Sequence, residues 1–278
     1  MDVENNSNTL TQVYYVGEEE VSPSAVHLVI CIFIQRGFLV AGFNSQKELL
    51  TIHYSGYEQD KIVWESEFFH NILSSHPLLE DPQKVRAAFI LSDKNMIVPN
   101  DLYKDNHAKS WLKHIHFIEE DDVVESYPLD QERAMYMMAF PSQLRDLIKN
   151  KLPNALIQPM ALYQFIKTPK IGLCLQCCVT NNQVCATLHI DGNLLWHKVF
   201  EYAAAEDIVF EGKYLCKENN YFATKLTILC NALTGAEYSV LSDYSQYYPA
   251  MKSGEGNRIH SNWDAPTALV QQLLTCVL

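Results

Sequence analysis

Four cysteines in the second half of the chain are the residues whose spacing most suggests metal chemistry. Cys174, Cys177 and Cys178 are followed closely by Cys185, and converging thiolates are the ligands that structural zinc sites use. The composition of residues 171–179 is that of a strand, however. Side chains three apart in a strand point to opposite faces, so Cys174 and Cys177 cannot reach one ion. We therefore predict buried thiols and no metal site.

The register of these cysteines follows from the turn between them. Asn tolerates the positive φ of a two-residue hairpin turn, so Asn181 and Asn182 predict such a turn. Cys178 then faces Cys185 as a hydrogen-bonded pair with Cα atoms about 5.5 Å apart, within disulfide range. The N-terminal residues lack the pattern of a secretory signal. We therefore predict that a reducing cytosol keeps both thiols free.

Histidines and acids supply two further candidates. His114 and His116 would share one face of an extended segment, as metal-binding pairs do, but no third ligand of suitable spacing accompanies them. We predict that they are partly exposed histidines. The run from Glu119 to Asp122 consists of four acids. We predict a solvated loop there, with an acidic partner surface as the alternative.

Common phosphate-binding patterns are incomplete. Gly37 and Gly42 have the spacing of a P-loop, but Phe43 and Asn44 occupy the positions that need Lys and Ser or Thr. With 33 acidic and 21 basic side chains, the formal net charge is −12. This charge argues against nucleic acid and anionic membranes as partners, because both attract basic patches.

The longest apolar stretch also argues against membrane insertion. Residues 26–43 are interrupted by Gln35, Arg36 and Gly37, and each half is too short to span a bilayer. A hairpin of two strands fits this pattern better. We predict a cytoplasmic protein.

The elements that must position these residues follow a repeated order. The first half predicts strands at 26–34, 38–43 and 48–54, a helix at 60–75 and a strand at 85–91. The second half predicts strands at 171–179, 183–190 and 194–202, a helix at 205–217 and a strand at 225–230. Two such β-β-β-α-β units predict a duplicated α/β fold, in which each half opens with a three-stranded meander.

Other elements lie between and after these units. They are a helix at 107–116, paired strands at 123–129 and 133–140, a helix at 141–151, a short strand at 155–158, and a helix at 236–247. The last helix and the residues just after it carry Tyr238, Tyr244, Tyr247 and Tyr248. Tyr is a common anchor in interfaces, but we predict that these side chains pack in the core and its rim.

Local strings of the chain resemble an uncharacterised bacterial family that is assigned the actin-like ATPase fold. The matching strings are NMIVP (95–99), MYMMAFPSQLRDLIKNKLPNALIQP (135–159) and GNLLWHKVFEYAAAEDIVF (192–210), and the likeness extends over about 26–278. The resemblance implies duplicated RNase H-like domains that face a cleft. It implies a polar segment at 1–23, a first domain at 24–167 that includes 121–151, and a second domain at 168–278.

The resemblance also implies where a nucleotide would bind. In actin-like ATPases, an Asp-x-Gly turn follows the first strand of each domain, and a Gly-Gly pair contributes to the adenosine site. Here the corresponding turns contain Arg36 in the first half and Asn181 and Asn182 in the second, neither turn has an acid, and the chain has no Gly-Gly pair. These three residues are the candidates for the cleft. We predict no catalytic residues, metal ligands or cofactor.

Three functions are compatible with this pattern. The leading hypothesis is a non-catalytic actin-like protein with a degenerate nucleotide site that binds an unidentified protein partner. The first alternative is an ATP-dependent phosphotransferase or ATPase whose acids come from elsewhere, for example Asp93 or Asp243. The second is a protein that binds a small molecule in the cleft. The sequence leaves the oligomeric state and the biological process open.

Overall fold

The structure is a computed structural model that describes residues 9–15, 20–57, 64–129, 132–166, 170, 172–180, 183–218, 227–232, 251–253 and 267–277. Its strands are β1 (Thr9–Tyr15), β2 (Leu28–Ile34), β3 (Gly37–Phe43), β4 (Leu49–Tyr57), β5 (Val85–Ile90), β6 (Asn95–Pro99), β7 (Asp122–Leu129), β8 (Ala134–Pro141), β9 (Leu156–Pro159), β10 (Leu173–Val179), β11 (Gln183–Ile190), β12 (Asn193–Glu201), β13 (Thr227–Ala232) and β14 (Met251–Ser253). Its helices are α1 (Ser66–Ser75), α2 (Ala108–Lys113), α3 (Ser142–Lys151), α4 (Leu162–Ile166), α5 (Ala205–Glu218) and α6 (Thr267–Thr275).

The described residues form two compact units. The first draws mainly on 1–91 and 141–160, and the second on 92–140 and 161–276. Strands β2 and β10, which the sequence placed at 26–34 and 171–179, lie in separate sheets, one in each unit.

The sheet of the first unit has the order β1-β4-β3-β2-β5-β9. Strand β2 is apolar at every position because it lies inside the sheet, antiparallel to β3 and parallel to β5, and every one of its residues is buried. The rings of Phe33, Phe38 and Phe69 pack with centroids 5.0 and 5.7 Å apart, which attaches α1 to the sheet. Burial of each ring of this size contributes roughly 1.5–3 kcal/mol to the free energy of unfolding.

The larger sheet of the second unit has the order β12-β11-β10-β13-β14. Strand β10 is antiparallel to β11 and parallel to β13. One face carries an apolar cluster that includes Leu175, Cys177 and Leu188, and Ile208 of α5 packs into it. Asp191 and Gly192 join β11 to β12 with φ values of 50° and 88°, which are the left-handed values that a tight hairpin requires.

A smaller sheet of the second unit has the order β6-β8-β7. Helix α2 packs Leu112 against Val98, Met137 and Ala139. The predicted pairing of the strands at 123–129 and 133–140 is confirmed, because β7 and β8 are neighbours.

Asp122 corrects the prediction of a fully solvated acidic loop. Its side chain is buried and accepts hydrogen bonds from Lys94 Nζ at 2.6 Å and from the Glu119 backbone N–H at 3.0 Å. The other three acids of the run are exposed. A sequence run shows the charge of four neighbouring residues but not which of them turns inward to meet a distant lysine.

Two predicted helices also began too early or extended too far. Helix α1 begins at Ser66, and Trp64 just before it has a φ of 62°, which no helix continues through. Helix α2 covers only part of the predicted 107–116. His107 ends a short 3-10 turn, and after Lys113 the N–H groups of His114 and Ile115 bond three residues back instead of four. The helix predicted at 236–247, with its tyrosines, lies outside the described residues.

Candidate functional site

The predicted phosphate turn of the first unit connects β2 to β3. The carbonyl oxygen of Gln35 accepts hydrogen bonds from Tyr57 Oη at 2.5 Å and from the Trp64 N–H at 3.0 Å. The carbonyl of Arg36 accepts from the Tyr57 N–H at 3.1 Å. A side chain at Gly37 would place its Cβ 2.9 Å from Tyr54 Oη. The turn is therefore held on several sides, and it contains no carboxylate.

Arg36 is the one predicted cleft residue that can be placed. Its side chain is partly buried, and its Nε makes no hydrogen bond within the described residues. Asn181 and Asn182 lie outside the described residues. The residues that flank them join β10 to β11, because the Thr180 N–H donates to the Gln183 carbonyl at 2.8 Å.

The predicted cysteine register is confirmed. Cys178 pairs with Cys185, and Cys174 pairs with His189. Cys177 lies in the apolar cluster, on the opposite face from Cys174 and Cys178. The described cysteines are free thiols, and no group of three or more metal-binding side chains converges within the described residues.

The other face of this sheet carries a buried network centred on Gln164 of α4. Its Nε2 lies within hydrogen-bond distance of three acceptors, which share its two N–H groups. They are the backbone carbonyls of Gln176 and Cys185 at 3.2 and 3.1 Å and Tyr163 Oη at 3.3 Å. Its Oε1 accepts from Thr187 Oγ1 at 2.6 Å and from the Cys185 thiol at 3.3 Å. One amide thus binds two strands to the helix above them.

The network fixes the tautomer of His197. Thr187 Oγ1 gives its hydrogen to Gln164, so it must accept from His197 Nδ1, 2.9 Å away. Burial lowers the pKa of His197 to about 3, with a smaller effect from His189, so the ring is neutral at pH 7. A neutral ring that is protonated at Nδ1 has a bare lone pair at Nε2. The rings of Tyr136 and Phe165 contact it edge-on at 5.5 and 5.0 Å.

Several polar atoms on this face have no hydrogen-bond partner within the described residues. They belong to the side chains of Gln176, Gln183 and His189, each of which is buried. Burial lowers the pKa of His189 to about 4. Buried polar atoms are normally paired, so a concentration of this kind marks the face as unusual for a core.

A cavity of about 670 Å³ adjoins His197 in the same unit, within the size range of ligand sites. Residues 194–199 of β12 line it together with Met96 and Ile97 of β6. Two of its apolar lining residues, Ile115 and Leu195, are 56% and 37% exposed. The cavity therefore combines an apolar wall with exposed apolar side chains.

The charged lining of the cavity is mainly acidic. Asp93 and Glu132 contribute carboxylates, and the one lysine, Lys198, lies 3.9 Å from Glu211 in an exposed ion pair. His116 also lines the cavity and donates from Nε2 to a backbone carbonyl of β6 at 2.8 Å. His114 is exposed and His116 partly so, which confirms that prediction.

The sequence reasoning missed Gln164, His189 and His197. The signal was present in β11, where Gln183, Cys185, Thr187 and His189 alternate with Val184, Ala186 and Leu188. Strict alternation shows that one face of a strand is polar, although it does not show that the polar face is buried.

Comparison with known proteins places the chain in a family. Residues 27–228 match the family described as Protein of unknown function (DUF3822). The chain belongs to this family. No curated protein matches it. The predicted resemblance to an uncharacterised family with an actin-like ATPase fold is confirmed.

One solved structure shows the same fold. The DUF3822 chain is similar to a protein of Bacteroides thetaiotaomicron with actin-like ATPase fold and unknown function, at 13% identity and a TM-score of 0.73, over 93% of this chain and 100% of that one. It is more distantly similar to the ethanolamine utilization protein EutJ from Carboxydothermus hydrogenoformans, at 8% identity, a TM-score of 0.45 and coverage of 90% and 89%. A PilM-PilN type IV pilus biogenesis complex gives 14% identity, a TM-score of 0.40 and coverage of 81% and 72%.

These findings establish a mixed α/β fold with actin-like neighbours, and neither the family nor the Bacteroides protein has an assigned function. In the described parts of the chain, no helix combines the length and the apolar character that a bilayer crossing needs.

Proposed function

We propose that this DUF3822 protein is a non-catalytic actin-like protein of the cytoplasm, with a degenerate nucleotide site, that binds a protein partner at the cavity of the second unit. The observation that carries the proposal is the turn between β2 and β3. It carries the buried amide of Gln35 and the partly buried guanidinium of Arg36, and no carboxylate, on a backbone that Tyr57 holds in place. A magnesium nucleotide needs carboxylates to hold its metal.

The proposal includes a duplicated fold of two RNase H-like domains, at 24–167 and 168–278, in which residues 92–140 of the first domain pack within the second unit. The order β4-β3-β2-β5 in one sheet and β12-β11-β10-β13 in the other supports it. In each sheet the first two pairings are antiparallel and the third is parallel.

Thermal unfolding with and without millimolar Mg-ATP tests the loss of the nucleotide site. A ligand at 100 times its Kd stabilises the protein that binds it by about 2.7 kcal/mol. We expect no change in Tm. A clear rise in Tm that Arg36→Ala abolishes would overturn the proposal.

Affinity capture from native lysate tests partner binding at the cavity. Leu195→Glu places a charge among the lining residues, whereas Leu156→Glu makes the same change at an exposed position of β9 in the first unit. We expect a stoichiometric partner that L156E retains and L195E loses. Equal capture by both variants would contradict this assignment of the surface.

A small-molecule or ATP-dependent function is the second candidate, and the lining of the cavity favours it. Asp93 and Glu132 place two carboxylates on the wall of one cavity of ligand size. Asp243 lies outside the described residues. Calorimetric titration of Mg-ATP into wild type and Asp93→Asn distinguishes the candidates, because binding that D93N abolishes would favour the enzyme.

A further inference from the structure

Two sheet edges line the cavity of the second unit. Among the strands that the structure describes, β12 is the last on one side of its sheet, and β6 is the last on one side of the smaller sheet. Both strands contribute lining residues. An edge strand presents a row of backbone donors and acceptors that another strand can bind.

The register shows which groups β12 presents. Thr180 and Gln183 form a hydrogen-bonded pair, so the odd-numbered residues of β11 bond to β10 and its even-numbered residues bond to β12. Phe200 and Lys198 of β12 therefore point their backbone groups at β11. Those of His197 and Val199 point outward, and no described residue is hydrogen-bonded to them.

The same reasoning applies to β6. Ala139 donates its N–H to the Lys94 carbonyl, and Asn100 donates to the Arg133 carbonyl, so even-numbered residues of β6 bond to β8. Ile97 is then an outward residue at the middle of the edge. Its backbone groups have no hydrogen-bond partner within the described residues.

We infer that an extended peptide segment of the partner adds to β12 as a further strand in this cavity, an inference that rests on the proposed function. The pairing of β12 with β11 shifts register beside Leu195, so the regular part of the edge is 196–201. These residues span roughly 17 Å at about 3.4 Å per residue, which fits a segment of about six residues. Backbone hydrogen bonds would supply the affinity of such a segment. Pockets for its side chains would supply the specificity.

The lining defines the chemistry of the segment. Ile97, Ile115 and Leu195 offer apolar contacts, so apolar side chains should alternate along it. The carboxylate of Glu132 favours a basic side chain. The expected ligand is an extended, apolar segment with one lysine or arginine.

Fluorescence polarisation with labelled hexapeptides tests this inference. The probes are Thr-Val-Lys-Val-Thr-Val and the same peptide with Glu in place of Lys. We expect the lysine peptide to bind at least tenfold more tightly. Each peptide is then N-methylated on alternate amides in the two possible sets. Methylation of the set that faces β12 should weaken binding at least tenfold, and methylation of the other set less than threefold. Equal effects of the two sets, or equal affinity of the two peptides, would overturn strand addition.

Two proline variants provide the matched comparison. Val199→Pro removes an outward N–H from β12, and Val13→Pro removes one from β1, which is an edge strand of the other sheet. Proline is tolerated where the N–H faces away from the sheet, and circular dichroism checks that both variants fold. We expect V199P to lose at least tenfold in peptide affinity and V13P to match wild type. The methylated peptides keep the test decisive if V199P does not fold.

The outcomes separate this inference from the proposed function. If L195E loses a captured partner while no hexapeptide binds wild type, the partner function stands and strand addition is refuted. If no partner is captured and no hexapeptide binds, both are refuted. Dimerisation that V199P abolishes would assign the edge to a second copy of the chain and refute the peptide segment.

Discussion

Replacing Gln164 by leucine tests whether the buried network stabilises the second unit. Leucine keeps most of the side-chain volume and removes both polar atoms. The variant loses the donors to Gln176 and Cys185 and the acceptor for Thr187. Since these groups are buried, water cannot replace the lost bonds without entering the core.

The expected loss of unfolding free energy depends on which hydrogen bonds each partner of Gln164 keeps in the variant. The two carbonyls keep their ladder bonds to neighbouring strands, because both belong to hydrogen-bonded pairs. Each lost bond then costs about 0.5–1.5 kcal/mol, and an unsatisfied Thr187 hydroxyl costs about 1–3 kcal/mol. The added apolar contacts of leucine offset part of this. We expect Gln164→Leu to lower the free energy of unfolding by about 2–4 kcal/mol.

The assay is urea unfolding, with hydrogen exchange of the β10 and β11 amides to identify the transition of the second unit. Gln143→Leu on the exposed side of α3 is the matched control, and we expect a change within about 0.5 kcal/mol. Thr187→Val combined with Gln164→Leu should cost about 1 kcal/mol less than the sum of the single variants. A Gln164→Leu effect below about 0.5 kcal/mol, or additivity within about 0.3–0.5 kcal/mol, would refute the network.

Three further predictions concern acid, an ion pair and the thiols. Burial lowers the pKa of His76 to about 4 and that of His197 to about 3. The folded state therefore binds fewer protons than the unfolded state, whose histidines titrate near about 6.5. The free energy of unfolding should therefore fall as the pH decreases from about 6.5 towards 4. The fall should be smaller in His76→Asn. An unchanged urea midpoint between pH 7.5 and 5 would contradict this prediction. Asp122→Asn breaks the ion pair of buried Asp122 with partly exposed Lys94 and should cost about 3 kcal/mol in urea unfolding, the lower end of the range for buried pairs. The same result for exposed Asp121→Asn would show that the pair is not responsible. Of the described cysteines, half-buried Cys276 should react first with a thiol reagent in native protein, and mass spectrometry showing earlier labelling of a buried cysteine would refute the assigned burial.

Most strands of the fold could be predicted from sequence because their composition is unambiguous. The apolar run of β2 and the Asp191-Gly192 turn specify their elements through local sterics alone. The start of α1 could not be predicted. Trp64 adopts a left-handed φ, while its N–H bonds to Gln35 far away in the chain. Local propensity contains no information about that contact.

The sequence by itself determined the strand order along the chain, the register of Cys178 against Cys185, and the absence of an acid from the Arg36 turn. These depend on residue type and on period-two geometry, which act over a few residues. Only the tertiary structure decided that Gln164 would bind two strands, that Asp122 would be buried, and that the edges of β6 and β12 would line one cavity. Those contacts join residues far apart in the chain, and the packing of whole elements brings them together, which no local pattern encodes.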